Sequence, residues 1–277
     1  MTTLVLRKFI KLSSLLVAVF VPIGVIQAQT PKKLLVVTVT KGFRHSSIPT
    51  AEKVLGELAQ RDGSFSVDYV RNDQEMTEKM TADALKKYDG AIFANTTGDL
   101  PLPDKQAFLD WIKSGRAFIG MHSATDTFRG HKPLDPYVEM IGGEFKTHGA
   151  QVEVECINQD AQHAACRHLG STYKLRDEIY ILNGFERGKV HGLLTLDKHP
   201  NEKTAGDYPI AWCKEYGKGR VFYTSLGHRE DVWDAHTPSN FQRENPMEVS
   251  EAYQRHILNG IKWALGLEKG DARPQTK

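Results

Sequence analysis

Cysteine is scarce in this 277-residue sequence, and its spacing excludes most of the chemistry that thiols provide. The three cysteines are Cys156, Cys166 and Cys213, and none of them forms a CxxC pair. An odd number without that spacing argues against a disulfide scaffold and against a zinc site built from thiolates. One bridge between Cys156 and Cys166 stays open, and buried apolar packing is the simpler interpretation of all three.

An excess of charge of one sign is also absent. The chain has 36 basic and 34 acidic residues, and no dense run of lysine or arginine. Three of the basic residues and none of the acidic ones lie in positions 1–28, so the remainder carries 33 minus 34, or −1. A near-neutral protein without a basic patch offers no electrostatic basis for binding nucleic acid.

Only one long apolar run occurs, and it lies at the N-terminus. Three basic side chains in positions 7–11 precede an apolar stretch over 12–26, and the small Ala28 follows. This order predicts a secretory signal peptide over residues 1–28, with the folded part exported to the periplasm or the exterior. An uncleaved inner-membrane anchor is the alternative, because the bulky Ile26 stands three positions before the cut. After cleavage we expect no membrane segment and a single domain over 29–277.

The order of strand-like and helix-like segments predicts an α/β fold. A β-branched apolar run from Lys33 to Thr40 is typical of a parallel strand covered on both faces. Strands and helices then alternate up to about residue 121, which indicates a mostly parallel sheet. After Gly149 strand-like segments follow one another, and Gly217-Lys218-Gly219 predicts an added hairpin. We predict strands at 65–70, 91–95, 117–121, 151–157, 178–182, 192–196, 210–216 and 220–226, helices at 82–87, 104–113 and 249–265, and a frayed tail from 268.

A tight turn after the predicted strand 117–121 presents one polar side chain between small residues. His122 lies between Gly120 and Ala124, in the pattern of a nucleophile elbow. Ser123 comes one position late, so a serine hydrolase is a weaker alternative. Asp126 would share a helical face with His122, where its carboxylate could orient the imidazole or act as a base. An N-terminal helix cap is an equally good interpretation of Asp126.

Other polar residues at predicted strand ends or turns have, together with His122, the composition of a divalent metal site. Neutral imidazoles with a carboxylate are the usual ligands of zinc and related metals. The residues are far apart in the sequence, so only the fold can bring them together, and each histidine alone is more simply a structural or surface residue. The candidate ligands are His45, His122, His148, Glu178 and His228.

Over about residues 33 to 266 these motifs resemble the ThuA-like family, which is named for trehalose utilisation. The resemblance implies the flavodoxin-like, class I glutamine amidotransferase-like fold, a three-layer sandwich. The motifs that carry it are Thr40 to His45, Gly90 to Asn95, Phe118 to Asp126, Gly142 to Phe145 with His148, Asp177 to Tyr180, Pro209 to Trp212, and Leu226 to His228.

The resemblance also implies that amidotransfer is lost. In amidotransferases of this fold a cysteine occupies the elbow, and a later histidine with a glutamate two residues on completes a triad. Here His122 replaces the cysteine, and His228 with Glu230 resembles the later pair. Without a thiolate the glutaminase mechanism cannot run. The expected catalytic residues are therefore His122, Asp126, His228 and Glu230, in a different reaction.

The resemblance also implies a role in bacterial sugar pathways that proceed through 3-keto glycosides. We therefore expect an exported enzyme that hydrolyses, eliminates or isomerises a carbohydrate or 3-keto-glycoside, assisted by a divalent metal such as zinc. A ketone at C3 acidifies the C2 proton, and loss of that proton can expel the C1 oxygen. This step needs a base near C2, a Lewis acid or hydrogen-bond donor on the C3 oxygen, and an acid for the leaving group. A noncatalytic carbohydrate-binding protein is the alternative. Aromatic residues that could wall a sugar pocket, or simply pack, are Phe43, Tyr180, Tyr223, Trp233 and Phe241.

Overall fold

The computed structural model describes residues 1–2 and 30–275. The predicted signal peptide lies, apart from its first two residues, outside these described residues. From Pro31 onward the chain forms one compact unit. Within the described part, no helix combines the length and apolar character needed to cross a membrane.

Strands and helices alternate in the first half of the chain, and strands dominate the second. The strands are β1 (Lys32–Val37), β2 (Phe65–Val70), β3 (Gly90–Ala94), β4 (Ala117–Met121), β5 (Glu144–His148), β6 (Val152–Asn158), β7 (Thr172–Asp177), β8 (Tyr180–Asn183), β9 (His191–Lys198), β10 (Ala205–Tyr216) and β11 (Gly219–Thr224). The helices are α1 (Ile48–Asp62), α2 (Asp73–Lys79), α3 (Ala82–Leu85), α4 (Lys105–Lys113), α5 (Pro136–Ile141), α6 (Glu230–Trp233) and α7 (Met247–Ala264), with 3₁₀ turns at His122–Asp126 and Arg187–Lys189.

Nine of the strands form one sheet, in the order β2-β1-β3-β4-β11-β10-β9-β6-β7. The first five are parallel to one another, in the 2-1-3-4-5 order of a flavodoxin-like sheet if β11 is counted as the fifth strand. The remaining pairs are antiparallel, and β10 and β11 form the hairpin predicted at Gly217-Lys218-Gly219. A separate two-stranded sheet joins β5 and β8.

Helices cover both faces of the parallel strands, which confirms the predicted three-layer α/β sandwich. Alternate residues of a strand point to opposite faces, so Leu34 and Leu35 of β1 enter different cores. Leu34 belongs to a core that includes residues of α1 and α7. Leu35 belongs to a core that includes residues of α4 and α5. All three cysteines are buried free thiols, so Cys156 and Cys166 are not bridged.

Two expectations about the second half of the chain are wrong. The predicted strand 178–182 begins later than expected, because residues 178 and 179 form a break between β7, which ends at Asp177, and β8, which begins at Tyr180. The tail is not frayed over its described residues: the Gln275 amide donates to the Val190 carbonyl, and His191 Nδ1 donates to the Arg273 carbonyl at 2.9 Å. These hydrogen bonds hold the tail along β9.

Candidate metal centre

Three of the candidate histidines lie at one edge of the sheet. His45, His122 and His228 follow β1, β4 and β11 respectively, and the carboxyl ends of these parallel strands meet at that edge. Glu178 follows the last residue of β7. Ligands of open α/β sheets bind at the carboxyl ends of the strands, so the fold gathers these side chains where a ligand site is expected.

The four side chains converge to the spacing of a metal-ligand set. One ligand atom from each of His45, His122, Glu178 and His228 lies within 4.8 Å of every other. His45 Nε2 and His122 Nε2 are 3.1 Å apart, and His228 Nδ1 is 3.2 Å from Glu178 Oε1. Two nitrogens bound to one tetrahedral zinc at the usual bond length stand about 3.3 Å apart. The observed separations therefore suit a single divalent ion with little rearrangement.

The turn at His122 has the geometry of the predicted elbow. Its φ is 46°, in the left-handed region that side chains other than glycine rarely adopt. A Cβ on Gly120 would stand 2.8 Å from Ile141 Cδ1 and 3.0 Å from the Tyr223 ring, so a larger residue there would displace packed side chains. His122 Nδ1 donates to the Ser225 carbonyl at 2.8 Å. This bond fixes the tautomer and directs the lone pair of Nε2 into the cluster.

Hydrogen bonds between the loops hold the segment before His228 in place. Ser47 is the N-cap residue of α1 but makes no side-chain cap hydrogen bond, and its hydroxyl instead donates to the Gly227 carbonyl beside His228. Asn95, at the end of β3, donates through Nδ2 to both Ser47 Oγ and the Gly227 carbonyl. The Asp177 carboxylate accepts from the Gly227 amide at 2.7 Å. Asn95 and the Ser225 carbonyl are positioning groups that the sequence analysis missed; the strand-end location of Asn95 was the available signal.

Burial sets the charge of the imidazoles. Burial and the neighbouring His228 lower the pKa of His45 to about 4. Burial also lowers the pKa of His122 well below its usual value. For His228 burial acts in the same direction, but the neighbouring carboxylates, Glu178 first and then Asp177 and Glu230, together raise the pKa above the usual value. Two imidazoles are thus kept neutral, as metal ligands must be, beside one carboxylate.

The other predicted site residues lie around this group rather than in it. His148 is 43% exposed, and its Nδ1 lies 2.9 Å from Glu178 Oε2, outside the four-residue set. Among the described residues no hydrogen bond or ion pair joins Glu230 to His228, although Glu230 is buried nearby at the start of α6. Glu178 occupies the position beside His228 that the triad comparison suggested for Glu230.

Asp126 lies at the end of the 3₁₀ turn and is not a helix N-cap. It forms an ion pair with Arg129. Burial nevertheless raises the pKa of its carboxyl above the usual value, with Arg129 opposing the shift. Ser123 Oγ is 3.4 Å from His45 Nδ1, but the Ser123 side chain is fully buried. This burial gives the serine hydrolase alternative no support.

A cavity of about 340 Å³ opens onto the cluster. His45, Glu178 and His228 line it, as do Asp126 and His148. Its apolar walls are Phe43, Phe145 and Tyr180. Of the aromatic residues considered for the wall of a sugar pocket, Phe43 and Tyr180 line this cavity. Tyr223 and Trp233 are fully buried in the core instead, and Phe241 packs against Arg229 away from the lining.

Solved structures with the same fold include three bacterial proteins. A protein described as ThuA-like from Parabacteroides merdae is 19% identical, with a TM-score of 0.64 over 85% of this chain and 90% of that one. Another from Bacteroides uniformis is 20% identical, with a TM-score of 0.63 over 86% and 93%. The cytoplasmic protein STM1381 from Salmonella typhimurium LT2 is 15% identical, with a TM-score of 0.55 over 84% and 99%. At these identities the likeness shows the fold.

The family follows from the sequence itself. No curated protein sequence matches the chain. The model of the ThuA family, described as trehalose utilisation, matches residues 33–264, which is most of the chain and includes all of the cluster. The protein therefore belongs to the ThuA family.

Proposed function

We propose that this protein is an exported, divalent-metal-dependent enzyme that acts on a small carbohydrate, with 3-keto glycosides as the substrate class. The observation that carries the proposal is the convergence of His45, His122, Glu178 and His228 at the end of a cavity. The family's link to trehalose utilisation supports a carbohydrate as the ligand. The N-terminal pattern of a signal peptide supports export.

The residues present fit a divalent ion. His122 Nε2 is left free for a ligand because Nδ1 is used by the Ser225 carbonyl. His228 Nδ1 is buried and makes no regular hydrogen bond among the described residues, although Glu178 Oε1 lies 3.2 Å away. Three imidazoles and one carboxylate form a donor set typical of zinc. When bound, such an ion polarises a carbonyl oxygen as a Lewis acid.

Two titratable side chains that are not part of the ligand set line the same cavity and can move protons. Asp126, whose pKa is raised by burial, is the proposed base that removes the acidic C2 proton of a 3-keto glycoside. His148, at the exposed side of Glu178, is the proposed acid for the glycosidic oxygen that leaves C1. In this β-elimination the C2–H electron pair forms the C1–C2 double bond as the C1–O bond breaks.

Metal content and turnover test the proposal together. Wild type, His122→Ala and the matched control His131→Ala should be purified and analysed for bound metal, then incubated with 3-keto-trehalose. His131 is a half-exposed histidine paired with Asp99, outside the four-residue cluster. We expect about one divalent ion per chain in wild type and control, and none in His122→Ala. Turnover should follow the metal.

Two results would contradict parts of this proposal. If wild type carries no divalent ion and is insensitive to chelation, the metal-dependent part of the proposal is wrong. Wild type and His122→Ala that both bind the keto-sugar without converting it indicate a noncatalytic carbohydrate-binding protein.

A further inference from the structure

One large apolar side chain is held in solvent at the rim of the cavity. Phe43, in the loop after β1, is 66% exposed and lines the opening. Leu134 and Met247 are the other large apolar side chains exposed within residues 30–275, and neither lines this cavity. Phe43 is thus an exposed ring at the opening of a cavity lined by polar side chains, a position from which it can contact a ligand bound there.

The exposure of Phe43 is imposed by a fixed backbone. The Lys41 amide donates to the Thr97 carbonyl at 2.7 Å. The hydroxyl of the buried Thr97 accepts from the Gly42 amide at 3.1 Å and donates to the Phe43 carbonyl at 2.9 Å. These three bonds hold residues 41–43 against the end of β3. Phe43 therefore presents its ring from a preorganised position.

Phe43 also has a free ring face, which the neighbouring wall residue Phe145 lacks. The aromatic contact of Phe43 is an edge-to-face pair with His45, with centroids 4.9 Å apart, and such a pair leaves at least one face uncovered. Phe145 packs against Tyr180 at 4.3 Å and carries the Arg129 guanidinium over its ring at 5.1 Å. A planar or ring-shaped ligand can thus stack on Phe43 and not on Phe145.

We propose that Phe43 is the stacking platform for the outer sugar ring of a disaccharide whose other ring lies in the cavity. The C–H face of a pyranose is apolar and matches an exposed phenyl ring. The cavity, about 340 Å³, lies within the range of small-molecule sites, and Phe43 lines its opening, so a disaccharide with one ring at the cluster would bring its second ring to Phe43. The inference rests on the carbohydrate part of the proposed function and deepens it, because it assigns a preference for disaccharides over monosaccharides.

The test compares disaccharide and monosaccharide binding in Phe43 variants. Wild type, Phe43→Ala, Phe43→Trp and the control Leu134→Ala should be titrated with trehalose, 3-keto-trehalose and glucose by calorimetry and ligand-observed NMR. We expect Phe43→Ala to weaken disaccharide binding about tenfold, the effect of one lost aromatic stack, and to change glucose binding less than about twofold. Phe43→Trp should retain disaccharide affinity, and Leu134→Ala should match wild type.

The outcomes separate this inference from the enzyme proposal. The platform is contradicted if Phe43→Ala loses affinity equally for glucose and disaccharide, or loses none. It is also contradicted if wild type binds none of the sugars. Phe43-dependent binding in a wild type without metal or turnover supports the platform and contradicts the enzyme. Metal content, measured in every variant, should be unaffected by changes at Phe43 and excludes damage to the cluster as the cause.

Discussion

Metal affinity should depend on pH through one histidine rather than three. A divalent ion binds only the neutral form of an imidazole, so each protonated histidine in the metal-free protein opposes binding. Burial holds the pKa of His45 at about 4 and that of His122 well below the usual histidine value, so both imidazoles stay largely neutral in mildly acidic solution. The pKa of His228 is raised by Glu178, so His228 is the histidine that stays protonated in mildly acidic solution.

The expected slope of the logarithm of metal affinity against pH follows from the number of protons that the ion displaces. Below the pKa of His228 the ion must displace one proton, so apparent affinity falls about tenfold for each pH unit, or about 1.4 kcal/mol. Because the pKa of His228 is raised, the fall begins above the pH at which an ordinary histidine titrates. At higher pH the affinity becomes independent of pH. Three ordinary exposed histidines would instead each release a proton, and affinity would fall close to a thousandfold per unit at about pH 5.

Competition with a chromophoric chelator from about pH 5 to about pH 8 measures this slope, and an indicator in weak buffer counts the protons released. His228→Gln should weaken binding and flatten the slope. The matched control His131→Gln, whose imidazole pairs with Asp99 outside the cluster, should behave as wild type. A slope of two or three protons near pH 5.5 would refute the conclusion that burial keeps His45 and His122 neutral.

Three further predictions concern the cluster and its support. Glu178→Gln removes the only carboxylate of the four-residue set and should weaken metal binding at least about 100-fold in the same competition assay; a smaller loss would exclude Glu178 as a ligand. Asp231→Ala leaves the buried Arg229 guanidinium with Glu244 as its remaining carboxylate partner and should lower the free energy of unfolding in urea by about 1–3 kcal/mol; an unchanged urea midpoint would show that the Asp231 pair contributes nothing. Truncation after Gly270 removes the tail hydrogen bonds to β9 and should lower that free energy by about 1–3 kcal/mol; an unchanged urea midpoint would show that the tail contributes nothing.

The histidines of the site could be predicted because they lie where regular structure ends. Parallel strands carry their carboxyl ends to one edge, so His45, His122 and His228, each placed just after a buried strand, had to lie near one another. Glu178 was harder to place, because β7 precedes it and was not predicted. The sequence suggested a strand running through Glu178, whereas the chain breaks there and turns the carboxylate toward His228.

The features of the site that the sequence did not predict depend on contacts that residue type does not reveal. The Ser225 carbonyl that orients His122 is a backbone group, and any residue at that position could supply it. Tyr223 and Trp233 are aromatic residues, as Phe43 is, but their side chains pack into the core with no exposed surface. Whether an aromatic ring faces a cavity or the core depends on packing between distant elements, and the local pattern contains no record of that packing.

The elbow position explains why His122 serves better as a fixed ligand than as an acid or base. The positive φ of His122 costs about 1 kcal/mol of conformational energy and fixes the direction of its side chain. In an elbow with a nucleophile, the same fixed direction points the nucleophile at the substrate. His122 is fully buried, does not line the cavity, and has Nδ1 committed to a carbonyl, so it has no route for exchanging protons with a substrate. In the proposed reaction, proton transfer is therefore assigned to Asp126 and His148, which line the cavity and are not among the candidate ligands. The same turn that directs a thiol nucleophile in amidotransferases of this fold can therefore hold His122 as a fixed metal ligand, while other side chains of the cavity transfer protons.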